Sequence, residues 1–126
     1  MGYIAVKNCL VVDDSRVIRK VACRILETLH FQAAEAEDGE AALEACRQSM
    51  PDVVLIDAQM PNMSGVEFVR ALRREQGGYR PRIVYCTTEH DMAQINEALN
   101  AGANEYLMKP YDRESVEAKF AEAGIA

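Results

Sequence analysis

The sequence predicts an α/β fold, a doubly wound sheet of five parallel strands with five helices. Three observations carry this. Apolar runs of strand length alternate with segments of helical period along the whole chain. The two most apolar runs, CLVV and VVLI, each lead into carboxylates, at Asp13 and Asp14 and at Asp57. Glycine and proline punctuate the connections between the periodic segments.

The elements follow in order. After strand 1, Ile18, Val21, Ile25 and Leu29 recur at helical spacing, with Ser15 placed to cap the helix. FQAAEA is a short second strand, and Ala42, Leu43 and Cys46 mark the inner face of the helix in EDGEAALEACRQ. PDVVLID is strand 3. The loop AQMPNMSG then leads to a helix with Val66, Val69 and Leu72 inward. RIVYCTT is strand 4, DMAQINEALNAG helix 4, EYLMK strand 5 and RESVEAKFAEAG the closing helix. Helix 4 offers Met92, Ile95 and Leu99 as its large apolar anchors and should be held less firmly than helix 1. Gly102 and Gly124 sit where helix ends favour left-handed backbone, and Gly77 and Gly78 mark the loop after helix 3.

The 126 residues fit one domain over 1–126, and 49% hydrophobic content suffices for a core. No attached output domain is expected. Twenty acids against fourteen bases give a formal charge of -6, which disfavours nucleic acid and anionic membrane as partners. Cys9, Cys23, Cys46 and Cys86 are widely spaced and mostly within apolar stretches, so reduced core thiols are expected. With no secretory signal and no apolar run near the ~20 residues of a membrane span, a cytoplasmic protein is expected.

Strand ends of one polarity share one edge of a parallel sheet, and ligands bind there where the strand order reverses. In a flavodoxin-like order 2-1-3-4-5, strands 1 and 3 bring Asp13, Asp14 and Asp57 together. Three carboxylates so placed repel one another unless a cation intervenes. Mg²⁺ suits an all-oxygen set. Zinc would need His or Cys neighbours, whereas His30 and His90 read as surface residues. Thr87 from strand 4 and Lys109 from strand 5 reach the same edge. A hydroxyl and an ammonium beside a metal-bound carboxylate make a phosphate site, with Asp57 as nucleophile.

These residues, in VVDDS, LIDAQMPNMSG, VYCTT and AGANEYLMKP, resemble the receiver domains of two-component response regulators, especially stand-alone CheY-like receivers, over residues 8–123. The strand order also rests on this resemblance. It implies a signalling switch that catalyses its own phosphorylation and dephosphorylation, with Asp57 as phosphoacceptor. Asp13, Asp14, Asp57 and the backbone carbonyl of Gln59 would hold Mg²⁺. Thr87 and Lys109 would bind the phosphoryl oxygens. Tyr106 matches an aromatic switch residue coupled to Thr87, and Lys109-Pro110 resembles the family's cis peptide. Gln59, Thr88 and Glu89 depart from common patterns and bear on the lifetime of the phosphorylated state.

The partners implied are a histidine kinase or histidine phosphotransfer protein, and a target docking on the helix 4, strand 5 and helix 5 face of a monomer. Likeness to chemotaxis regulators suggests a motor-switch target. A phosphorelay shuttle passing its phosphoryl group to a histidine phosphotransfer protein is the alternative. A Mg²⁺-dependent haloacid dehalogenase-type phosphatase fits less well, because it needs a second acid where Gln59 stands.

Overall fold

The computed structural model describes residues 6–125. In chain order the elements are β1 (Lys7–Val12), α1 (Arg16–Thr28), β2 (Phe31–Ala36), α2 (Gly39–Gln48) and β3 (Val53–Asp57). They continue with α3 (Gly65–Arg74), β4 (Arg82–Thr87), α4 (Met92–Ala101), β5 (Glu105–Met108) and α5 (Arg113–Glu122). The strands form one parallel sheet in the order β2-β1-β3-β4-β5. The parallel α/β class is what the alternation of strand and helix patterns anticipates, and the flavodoxin-like order is the one the receiver resemblance implies.

Side chains along a strand alternate between the two sheet faces, and here both faces are apolar. Leu10, Val12, Val54, Ile56, Ile83 and Tyr85 pack with α2, α3 and α4. Cys9, Val11, Val53, Leu55, Val84, Cys86 and Leu107 pack with α1 and α5. Each fully buried Val, Leu or Ile contributes roughly 1.5–3 kcal/mol relative to exposure. Cys9, Cys46 and Cys86 are buried and Cys23 half-buried, all as free thiols, in line with their reading as core residues.

Every helix starts on a side-chain cap. Ser15, Asp38, Ser64, Asp91 and Asp112 each accept a hydrogen bond from a backbone amide of the first turn. Such caps typically contribute about 1 kcal/mol each. Gly102 caps α4 at φ 126°, and Gly124 follows α5 at φ 79°, both in the left-handed region that favours glycine.

Two anchor assignments need correction. In α1 the fully buried residues are Ala22 and Leu26, whereas Val21 is 47% exposed. The inward stripe runs 18, 22, 25, 26, 29, and Val21 lies on its solvent flank because a step of three from Ile18 underturns the helix. In α4, Ile95 and Ala98 are buried, but Met92 at the first turn is 54% exposed. Phe68, fully buried in α3, joins Val66, Val69 and Leu72 as a core residue the periodic reading passed over.

Candidate functional site

Strand register assembles the site. Val12 pairs with Ile56, so Asp13 and Asp57 leave adjacent strands at the same level. Asp57 pairs with Cys86 and Thr87 with Met108, so Thr87 and Lys109 arrive one step further along β4 and beyond β5. Backbone hydrogen bonds hold these ends: Ala58 N–H donates to Cys86 O at 2.8 Å, and Lys109 N–H to Thr87 O at 2.8 Å. The Lys109-Pro110 peptide is cis, as the sequence resemblance implied.

Asp13, Asp57 and Thr87 are buried, while Asp14 is exposed. One carboxylate oxygen from each of Asp13, Asp14 and Asp57 lies within 4.8 Å of the others. The Lys109 ammonium donates to Asp13 Oδ2 at 2.8 Å and to Asp57 Oδ1 at 2.9 Å. It thereby neutralises part of the clustered charge. Asp13 Oδ1 also accepts from the Ser15 amide at 2.8 Å. Burial pushes the Asp57 pKa up, helped by the charges of Asp13 and Asp14 and opposed by the bond from Lys109. Burial alone pulls Lys109 down, but its two carboxylate partners outweigh this and raise it. Lys109 therefore stays protonated.

An all-oxygen cluster with no thiol or imidazole among the three suits a hard divalent cation such as Mg²⁺. Thr87 Oγ1 accepts from the Glu89 amide at 3.2 Å, which leaves the hydroxyl proton free to donate. Gln59, Thr88, Glu89 and His90 are exposed on the surrounding loops. Thr88 lines a cleft of about 370 Å³ beside Lys109, together with Ile18, Val21, Pro110 and Tyr111. Burial raises the pKa of the Tyr111 hydroxyl, with the Cys86 side chain and Asp13 acting in the same direction. A cavity of about 570 Å³ lies at the opposite edge beside Asn8, Phe31 and Pro51 and shares no residue with the cluster.

Tyr106 lies on β5 opposite Tyr85 of β4, half-buried at the sheet edge. The Lys119 ammonium sits 4.4 Å from its ring centroid and is held by Glu105 and Glu122. Thr87 and Tyr106 thus flank the same end of the sheet without a hydrogen bond between them among the described residues.

The chain matches the family model described as a response regulator receiver domain over residues 9–121. It belongs to the response regulator receiver family. Among solved structures, this receiver is similar to the chemotaxis protein CheY4 of Vibrio cholerae, at TM-score 0.89 and 31% identity, covering 94% of this chain and 99% of that one. It is 32% identical to the phosphate regulon transcriptional regulatory protein PhoB of Escherichia coli over 113 residues, 90% of this chain and 49% of the relative. It is 35% identical to the DNA-binding response regulator MtrA of Mycobacterium tuberculosis over 105 residues, 83% and 45% respectively. The chain spans about half the length of these curated relatives. Receivers of two-component systems are signalling switches, and this CheY-like member carries the acidic cluster at the expected edge. Among the described residues, no helix is long and apolar enough to cross a membrane.

Sequence reasoning missed three polar residues that bear on the site. Arg19 reaches the backbone of Asp13, and Glu35 holds Arg19. Tyr85 is fully buried, and its hydroxyl is the one buried side-chain polar atom without a hydrogen-bond partner among the described residues. Burial raises its pKa to about 12, so it remains a neutral phenol. Its ring packs beneath the start of α3, where a Cβ on Gly65 would come within 2.9 Å of Tyr85 Cε1. A buried hydroxyl without a partner costs about 1–3 kcal/mol. Tyr85→Phe is therefore expected to raise the midpoint of thermal unfolding. A fall of the midpoint in calorimetry would show that the hydroxyl contributes a net favourable bond.

Proposed function

We propose that this receiver accepts a phosphoryl group on Asp57 from a histidine kinase or histidine phosphotransfer protein and signals through a protein-protein surface. The observation that carries this reading is the Lys109 ammonium bridging Asp13 and Asp57 beside the buried Thr87 hydroxyl. Asp13, Asp14, Asp57 and the Gln59 backbone carbonyl would hold Mg²⁺, which supplies positive charge against the carboxylates and the phosphoryl oxygens.

An Asp57 carboxylate oxygen forms the new bond to phosphorus, and the phosphorus-nitrogen bond of the phosphohistidine donor breaks. The imidazole keeps that electron pair. Lys109 and the Thr87 hydroxyl then donate to the phosphoryl oxygens. Gln59, Thr88 and Glu89 border the approach of hydrolytic water and so tune the lifetime of the acyl phosphate. The donor docks across the exposed apolar flank of α1, where Val17 is 72% exposed beside Val21. A phosphorelay shuttle would use the same opening in the reverse direction.

Output leaves through α4, β5 and α5. Thr87 moving toward a phosphoryl oxygen releases its bond with the Glu89 amide in the loop before α4, and Tyr106 responds beside it. The test is amide chemical shift mapping with beryllofluoride and Mg²⁺ in wild type and Thr87→Ala. Displacements across residues 88–120 are expected in wild type and loss of them in the variant. Unmoved resonances in wild type, or equal displacement in Thr87→Ala, reject the switch.

A further inference from the structure

The three acids of the cluster are not held alike. Asp13 is tied at every polar atom: its amide donates to Ala36 O at 3.2 Å, its carboxylate accepts from Ser15 and Lys109, and its carbonyl accepts from Arg19 Nη1 at 2.8 Å. Asp57 accepts from Lys109. The Asp14 carboxylate is exposed and accepts no hydrogen bond among the described residues. Its direction is therefore set by its backbone, and the peptide plane entering Asp14 is the one whose carbonyl Arg19 grips.

Arg19 itself is aimed. Its Nε donates to Glu35 Oε1 at 3.0 Å across β2, and its side chain is 14% exposed. Lys20 Nζ donates to the other oxygen of Glu35 at 2.7 Å. The chain Lys20, Glu35, Arg19, Asp13 carbonyl thus runs from the edge strand to the peptide between the two adjacent acids. A guanidinium can serve two acceptors at fixed angles, which a single ammonium cannot.

We propose that Arg19 is a positioning residue for divalent cation binding, orienting the Asp13–Asp14 peptide so that the Asp14 carboxylate faces Asp57, and that Glu35 fixes Arg19 in that role. The inference rests on the reading of Asp13, Asp14 and Asp57 as a Mg²⁺ site. Outer residues that orient metal ligands typically change affinity 10–100-fold when removed. Mg²⁺ also demands near-ideal geometry where Ca²⁺ tolerates a loose shell. Loosening Asp14 should cost Mg²⁺ more than Ca²⁺.

Charge and geometry predict opposite signs, which makes the test decisive. Removing a cation near the cluster should tighten Mg²⁺ binding if Arg19 acts by charge alone. Positioning predicts weakening. Isothermal titration of Mg²⁺ and of Ca²⁺ into wild type, Arg19→Gln, Arg19→Lys and Glu35→Gln separates them, with circular dichroism confirming the fold. We expect roughly tenfold weaker Mg²⁺ binding in Arg19→Gln, partial recovery in Arg19→Lys, and a reduced Mg²⁺ to Ca²⁺ affinity ratio in both. Glu35→Gln, a change at an exposed residue, removes an anion and so weakens both cations by charge alone; positioning adds a fall in the Mg²⁺ to Ca²⁺ affinity ratio, and that ratio keeps the test open if Arg19→Gln fails to fold. Wild-type failure to bind Mg²⁺ rejects the site itself. Equal or tighter binding in the variants, with wild type binding, rejects the positioning role and leaves the site standing.

Discussion

Asp57→Asn is expected to lose all phosphoryl labelling and yet to unfold at a higher temperature than wild type at pH 7 without Mg²⁺. Both effects come from the same carboxylate. Asn keeps the shape of Asp but offers no carboxylate oxygen for the new bond to phosphorus, so acetyl phosphate with Mg²⁺ should add one acyl phosphate to wild type and none to the variant. The stability effect follows from burial, which raises the Asp57 pKa, with the charges of Asp13 and Asp14 adding to it despite the Lys109 bond. A folded-state pKa above the unfolded one means that the folded state binds more protons in that window, so stability falls as pH rises through it. Wild type carries this penalty at neutral pH and loses it as Asp57 protonates in acid. The thermal advantage of Asp57→Asn should therefore be present at pH 7 and close as pH falls toward the ordinary aspartate range, about 4. Intact-mass measurement and a series of unfolding curves check the two halves. Full labelling of the variant removes Asp57 as acceptor, and a variant less stable than wild type at pH 7 shows that Lys109 outweighs burial.

The strand ends were legible because they combine two strong signals. A run such as VVLID admits one physical reading, a buried strand that releases its last residue at the sheet edge, and parallel topology places all such ends together. Asp13, Asp57, Thr87 and Lys109 follow from that logic, and register brings Asp13 and Asp57 to one level, Thr87 one step beyond it and Lys109 two. Ser15 was equally readable as a cap, since a serine before an apolar periodic stretch has few other uses.

Residues whose role depends on what packs opposite them were not legible. Val21 has the right spacing from Ile18 but lies on the exposed flank of α1, and small Ala22 takes the buried position against the sheet. Tyr85 reads as a strand aromatic, and nothing in RIVYCTT tells that its hydroxyl ends inside the α3 and α4 side of the core. Arg19 and Arg73 look like ordinary helix-surface cations. Besides Glu35 and Asn104, their acceptors are backbone carbonyls, which carry no side-chain signature.

Arg73→Met should destabilise the fold by about 3 kcal/mol, since hydrogen bonds to charged groups contribute roughly 1.5–3 kcal/mol each and buried acceptors left alone cost about 1–3. The Arg73 guanidinium donates to Gly102 O at 3.0 and 2.7 Å, to Gly78 O and Pro81 O at 2.8 Å each, and to Asn104 Oδ1 at 3.1 Å. No carboxylate pairs with it among the described residues, and burial, together with the charge of Arg82, lowers its pKa. It serves as a hub joining the end of α3, the loop through Gly78 and Pro81, and the end of α4. Met preserves the aliphatic stem but none of the donors. Arg73→Lys should recover at most part of the loss, because one nitrogen cannot span acceptors on both sides. Under the proposed output route the consequence lies in α4, whose C-terminal end this hub pins at Gly102 while its first turn rests on the Asp91 cap and leaves Met92 exposed. A helix fixed at one end and lightly held at the other can tilt when the loop beside Thr87 moves. Denaturant unfolding measures the first effect, and hydrogen exchange along α4 measures the second, with faster exchange expected at Ala93 and Gln94 in the first turn than at Gly102 and Ala103 at the pinned end. A loss below about 0.5 kcal/mol, the range of ordinary surface substitutions, would place Arg73 among the solvated cations and leave α4 without its pivot.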